Sequence, residues 1–174
     1  MKHGHGLRSE LYILRHGIAE ERSKRDYPDD DRPLSKEGVQ KMRKEARGIR
    51  RVIDSFDLIL TSPLERAYRT AKIVGSRLGC SKKIKICREL SCGATPKRLA
   101  GLIAKYRDKD RLLLVGHEPD LSSFISYLLG SKDESIELKK GALCRLDVSL
   151  RAKQPEGTLV WLLTPQQLCL LANG

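Results

Sequence analysis

The side chains in this sequence that can do chemistry together are Arg15, His16, Arg66 and His117. Arg15 and His16 follow the apolar run Leu11-Tyr12-Ile13-Leu14 and precede Gly17, in LYILRHGIAE. His117 follows Leu112-Leu113-Leu114-Val115-Gly116 in the same manner, and Arg66 stands in TSPLERAYRTA, just after the apolar run of FDLILT. Of the 4 histidines, His3 and His5 belong to the opening MKHGHG, so both interior ones sit directly behind an apolar run. A phosphoryl group in transfer spreads negative charge over three equatorial oxygens, and guanidinium forks with imidazole donors are suited to hold it. A neutral imidazole nitrogen can also attack phosphorus in line and carry the group, splitting one hard displacement into two easier ones. That chemistry calls for no metal and no cofactor. Asp29, Asp30 and Asp31 are expected to form a solvated loop rather than a magnesium site. His3 and His5 are expected in a flexible tail rather than on a metal.

For these groups to meet, separate elements must deliver them to one place. Residues 11–14, 56–61, 84–90 and 112–115 read as strands, the last apolar on both faces as a central parallel strand should be. Ser35 is an N-cap, followed by a helix with Val39, Met42, Ala46, Ile49 and Ile53 on one stripe. Ser62 as N-cap and Pro63 in the first turn begin a second helix over 64–78, closed by Gly79. Thr95-Pro96 begins a third, and Leu121, Phe124, Ile125 and Leu128 mark a fourth that stops at Gly130. Residues 143–148 and 158–163 read as an antiparallel pair at one side of the sheet, and the tail after Pro165 as a short helix.

This pattern predicts an α/β three-layer sandwich: a mostly parallel central sheet, helices on both faces and an antiparallel strand at one side. It is expected to be one domain of 174 residues, with residues 1–10 as a flexible tail. In such sheets ligands bind outside the carboxyl ends of the strands, which is where Arg15, His16, Arg66 and His117 fall. Gly17 is expected to let the chain bend sharply just after His16.

Lys and Arg number 34 against 22 Asp and Glu, a formal charge of +12 that attracts anions in general. Aromatic residues are only 5% of the chain, which leaves few platforms for stacking bases, so a nucleic-acid partner is not expected. The 5 cysteines form no CxxC pair and no secretory apolar segment precedes them, which points to reduced thiols in a cytoplasm. No apolar run approaches the ~20 residues that a membrane span needs.

At these residues the chain resembles the histidine phosphatase superfamily of phosphoglycerate mutase-like proteins, and within it the small SixA-like phosphohistidine phosphatases. LRHGIAE, RPLSKEG from Arg32 to Gly38, TSPLERAYRTA and VGHEPDLS match that family's blocks in order and with similar spacing, over residues 11–163. The resemblance implies that His16 accepts the phosphoryl group. It implies that Arg15, Arg66 and His117 form the phosphate pocket, with Arg32 as a further ligand. It also implies a general acid after the third strand, where Glu89 stands in CREL; Glu20, Glu118 and Asp120 are alternatives. Larger members of the family use insertions to cover small substrates. Here the segment over 18–33 is short and no large insertion follows the second helix, so an open pocket is expected. An open pocket suits a phosphorylated side chain on another protein. The expected activity is therefore a phosphohistidine phosphatase acting on proteins. The alternatives are a small-molecule phosphomonoesterase or mutase on the same scaffold, and a non-catalytic anion or nucleic-acid binder.

Overall fold

The computed structural model describes residues 8–21, 28–131, 136–150 and 155–174. His3, His5, and parts of the loops expected before the first helix and between the last two strands lie outside them. Six strands form one sheet in the order β3-β2-β4-β1-β5-β6. β1 (Ser9–Arg15), β2 (Leu58–Thr61), β3 (Ile84–Ile86) and β4 (Arg111–Gly116) run parallel to one another. β5 (Leu143–Ser149) is antiparallel to β1 and to the edge strand β6 (Glu156–Leu163).

Alternation along the central strands builds both outer layers. Leu11 and Ile13 pack with Leu112 and Leu114 against α3 (Pro96–Ala104) and α4 (Asp120–Leu128). Tyr12 and Leu14 pack with Leu113 and Val115 against α1 (Lys36–Val52), α2 (Glu65–Arg77) and α5 (Pro165–Leu171). A strand covered on both faces has no polar side to show, which is why these runs are apolar throughout. Each fully buried leucine contributes about 1.5–3 kcal/mol relative to exposure, so the two central strands are the firmest frame the chain has. The expected α/β sandwich, with helices on both faces, is the fold observed.

The helix starts follow from their caps. Ser35 Oγ accepts from the Gly38 amide (2.9 Å), and Thr95 Oγ1 from the Arg98 amide (3.3 Å) with Pro96 in the first turn. Thr164 and Gln167 form a reciprocal capping box on α5, the short helix expected of the tail.

Three expectations are corrected. β1 begins at Ser9, so Ser9 and Glu10 belong to the sheet rather than to a tail. Glu10 is held there by Arg145 (3.1 Å) and Arg111 (3.2 Å), and it accepts the Tyr12 hydroxyl (2.7 Å). β3 stops at Ile86 instead of continuing to Leu90. It lies at the sheet edge with Lys85 and Ile86 exposed, and Arg88–Leu90 closes into a 3-10 turn. Ser62 is not the N-cap of α2: the helix begins at Glu65 after Leu64, and the Ser62 hydroxyl is used elsewhere.

Register sets the rim from which the reactive groups emerge. Arg15 lies beside Gly116, and Thr61 beside Val115. The ladder runs one residue further, with the His16 amide on the Gly116 carbonyl (3.1 Å) and the Ser62 amide on that of Val115 (3.0 Å). His16, His117 and Ser62 therefore leave three adjacent strands at the same end.

Candidate active site

The two interior histidines, 101 positions apart by their numbers, meet at that rim. Their ring centroids are 5.1 Å apart with the planes tilted by 54°, and both side chains are buried. His16 Nδ1 lies 2.7 Å from the Gly17 carbonyl oxygen. A carbonyl can only accept, so the ring proton is on Nδ1 and the lone pair is on Nε2. Burial pushes the His16 pKa down to about 3; the neighbouring His117, Arg66 and Arg15 push the same way, and the Gly17 hydrogen bond opposes them. At neutral pH His16 is thus an uncharged imidazole with Nε2 unprotonated, the form a nucleophile requires.

Gly17 plays a different part from the one expected. Among the described residues the left-handed backbone region is used at Gly79, Gly93, Gly130 and Gly141, and not at Gly17. The turn is held instead by its hydrogen bonds: Gly17 donates its amide to Thr70 Oγ1 (3.1 Å), whose hydroxyl donates to the Arg66 carbonyl (2.7 Å). The nucleophile's turn and the arginine helix are thereby fastened together.

The arginines come from three elements. Arg15, at the end of β1, donates from one terminal nitrogen to the Leu138 carbonyl (3.0 Å). Arg66, in the first turn of α2, is buried and donates to the Asp29 carbonyl (2.7 Å) and to its carboxylate (3.2 Å). Arg32 donates to the Glu20 carbonyl (3.0 Å) and pairs through Nε with the other oxygen of the same Asp29 carboxylate (3.2 Å). Arg15 Nε, Arg66 Nε and His117 Nδ1 are buried and have no hydrogen-bond partner among the described residues. Buried donors are ordinarily satisfied, and an acceptor-rich anion at this rim could satisfy these three; Arg145 Nε, away from the rim, is likewise without a hydrogen bond.

His117 is held from its far side, with Nε2 2.8 Å from Ser62 Oγ. Its pKa is pushed down to about 4, first by burial and then by Arg66, with Arg15 and Arg32 adding to this and Asp29 opposing it. It too is neutral at pH 7.

Glu89, expected as the acid, is not brought to this pair. Its carboxylate pairs with Lys105 at 3.0 Å, and that hydrogen bond holds its pKa below the usual carboxylate range, the wrong direction for a proton donor. Asp120 accepts the Gly93 (2.7 Å) and Ala94 (3.0 Å) amides, a structural tie. Glu20 contributes its backbone carbonyl to Arg32. Glu118, next to His117, has its pKa raised by burial, although the Ser122 hydroxyl and amide both donate to its carboxylate and oppose the shift.

Ser62, Asp29 and Thr70 are the residues that sequence reasoning missed. Ser62 and Thr70 lie inside the TSPLERAYRTA block, where Ser62 reads as a cap and nothing singles out Thr70. Asp29 reaches Arg66 across 37 positions and carries no periodic signal.

A family model described as the histidine phosphatase superfamily (branch 1) matches residues 11–98. An uncharacterized protein of Picosynechococcus sp. is 33% identical over 146 residues, covering 79% of this chain and 84% of its own. Among solved structures, the protein histidine phosphatase SixA complexed with tungstate is similar with a TM-score of 0.81 at 20% identity, over 91% of this chain and 99% of that one. A mycobacterial glucosyl-3-phosphoglycerate phosphatase in complex with VO3 is similar with a TM-score of 0.68 at 18% identity, over 88% and 98%. At these identities the two structures bear on the fold.

Proposed function

Because the chain belongs to the histidine phosphatase superfamily and is a phosphatase, we propose that it works through a phosphohistidine on His16 and removes phosphate from phosphohistidine side chains of other proteins. The observation that carries the reading is the meeting of His16 and His117 at 5.1 Å beside the unsatisfied nitrogens of Arg15 and Arg66. His16 Nε2 attacks phosphorus in line, forming a new N–P bond as the bond to the leaving group breaks. Arg15, Arg66 and the Nδ1 edge of His117 hold the equatorial oxygens while charge spreads over them, and Arg32 backs Arg66 through their shared Asp29 carboxylate. Water then displaces the group, releasing phosphate and restoring neutral His16.

The substrate class is favoured by what Glu89 does not do. An alkoxide leaving group needs a positioned acid, whereas the ring of phosphohistidine can take a proton from solvent on its free nitrogen before the P–N bond breaks and so departs as neutral imidazole. With Glu89 committed to Lys105, the phosphoramidate is the easier substrate. All five cysteines are free thiols, which supports a reducing, cytoplasmic place of action. Among the described residues no helix is long and apolar enough to cross a membrane.

The test is a side-by-side assay of a phosphohistidine peptide, glucose 6-phosphate and 3-phosphoglycerate with the native chain and His16→Asn. The peptide is expected to be turned over at least ten times faster than either ester, and the variant is expected to lose all turnover while still binding vanadate. Preference for an ester would replace the substrate; turnover surviving in His16→Asn would end the proposal.

A further inference from the structure

The Ser62 hydroxyl is fully buried and meets two groups: the Leu64 amide at 3.2 Å and His117 Nε2 at 2.8 Å. An amide can only donate, so Leu64 takes one lone pair of Oγ and leaves the hydroxyl proton still to be placed. Of these two partners only Nε2 can accept it. A buried hydroxyl that donates to nothing is costly, and the cost is removed when Ser62 donates to Nε2. The single proton of the neutral ring then sits on Nδ1, the nitrogen with no hydrogen-bond partner among the described residues.

We propose that Ser62 is a positioning residue that locks His117 in the neutral, Nδ1-protonated tautomer, so that His117 presents a hydrogen-bond donor to the phosphoryl group and does not serve as its acid. The proposal rests on the phosphate-pocket reading given above. The same contact resists the imidazolium: a protonated Nε2 would become a donor aimed at the hydroxyl, whose own proton would have to turn away from its acceptor. The charged and titratable groups around the ring agree. Burial disfavours a cation there, as do Arg66 from α2, Arg15 from β1 and Arg32 from the segment before α1; His16 faces the ring as a neutral group, and Asp29 favours the cation. A neutral ring whose only proton is on Nδ1 cannot give that proton up without becoming an imidazolate. His117 therefore stabilises charge, and the leaving group takes its proton from elsewhere.

The test reads the ring nitrogens of His117 by long-range 15N–1H correlation in the full chain, between pH 5 and 8, beside steady-state kinetics on phosphoramidate. Native protein is expected to show a protonated Nδ1 and a bare Nε2 throughout that range. In Ser62→Ala the Nε2-protonated tautomer should appear beside the native one. In the same variant kcat should fall roughly 10- to 100-fold with a smaller change in KM. Ser62→Thr, which keeps the hydroxyl, should restore tautomer and rate together, and it guards against a merely misfolded alanine variant. A proton on Nε2 in the native chain, or ring shifts unmoved by Ser62→Ala, would overturn the proposal. Since the tautomer is read without turnover, that failure is distinguishable from failure of the phospho-His16 reading.

Discussion

Replacing Glu45 with glutamine is expected to stabilise the protein at alkaline pH and to change little at acid pH. Glu45 lies in α1 with 1% of its surface exposed, and its Oε1 has no hydrogen-bond partner among the described residues. It packs behind the turn that holds Arg15. A side chain at Gly141, whose φ is +85°, would collide with the Glu45 carboxylate, while the Gly141 amide donates to the Arg15 carbonyl (3.1 Å) and the Arg15 amide to that of Ala142 (3.2 Å). Burial raises the Glu45 pKa from 4.5 to about 8, and Lys41 opposes the shift. The folded state thus binds this proton more tightly than the unfolded chain. Its stabilising contribution is complete below 4.5 and is lost as pH rises through 8. At 1.36 kcal/mol per pH unit, the interval amounts to about 5 kcal/mol. Glutamine keeps the shape and never ionises. In urea denaturation followed by circular dichroism, Glu45→Gln should match the native chain near pH 5, gain about 1.4 kcal/mol on it per pH unit, and lead by several kcal/mol at pH 8. A difference that stays flat across that range would refute the reasoning.

Two further outcomes follow from the site. Arg66→Lys keeps the charge but loses the fork that both reaches Asp29 and can grip an oxyanion, so vanadate affinity measured by calorimetry should fall about 10- to 100-fold, the equivalent of roughly 1.5–3 kcal/mol. Glu89→Gln removes a partly exposed pair with Lys105 worth about 0.2–1 kcal/mol, so phosphohistidine turnover should stay within about 3-fold of the native rate; a loss of 100-fold would return Glu89 to the acid's role.

The frame of the fold was legible because it is written in contiguous residues. The run from Leu112 to Val115 can only be a strand buried on both faces, and His117 and His16 each follow such a run directly. Proximity of the two rings then follows from parallel pairing, since adjacent strands of one direction end together. What could not be read was what the side chains do once gathered. Ser62 before Pro63 is a good cap signal, yet the nearby imidazole competes for its hydroxyl, and that imidazole arrives from β4, 55 positions on. Residues 84–90 alternate like a strand, but alternation does not reveal that β3 would lie at an edge, with Lys85 and Ile86 exposed on its open side. The Asp29 carboxylate bridging Arg66 and Arg32 depends on how a loop folds back over α2. Gly17 illustrates the converse: a glycine was rightly placed at the turn, but hydrogen bonds to Thr70 and His16 hold it, not an unusual φ.

The central claim is a covalent bond between phosphorus and His16 Nε2, and trapping it is the most direct measurement. The native chain, exposed briefly to radioactive phosphoramidate and quenched in alkali, should carry an acid-labile, base-stable label that peptide mapping assigns to His16 and that is absent from His16→Asn. A label on another residue, or rapid phosphoramidate turnover with no label on His16 at any time, would contradict the account.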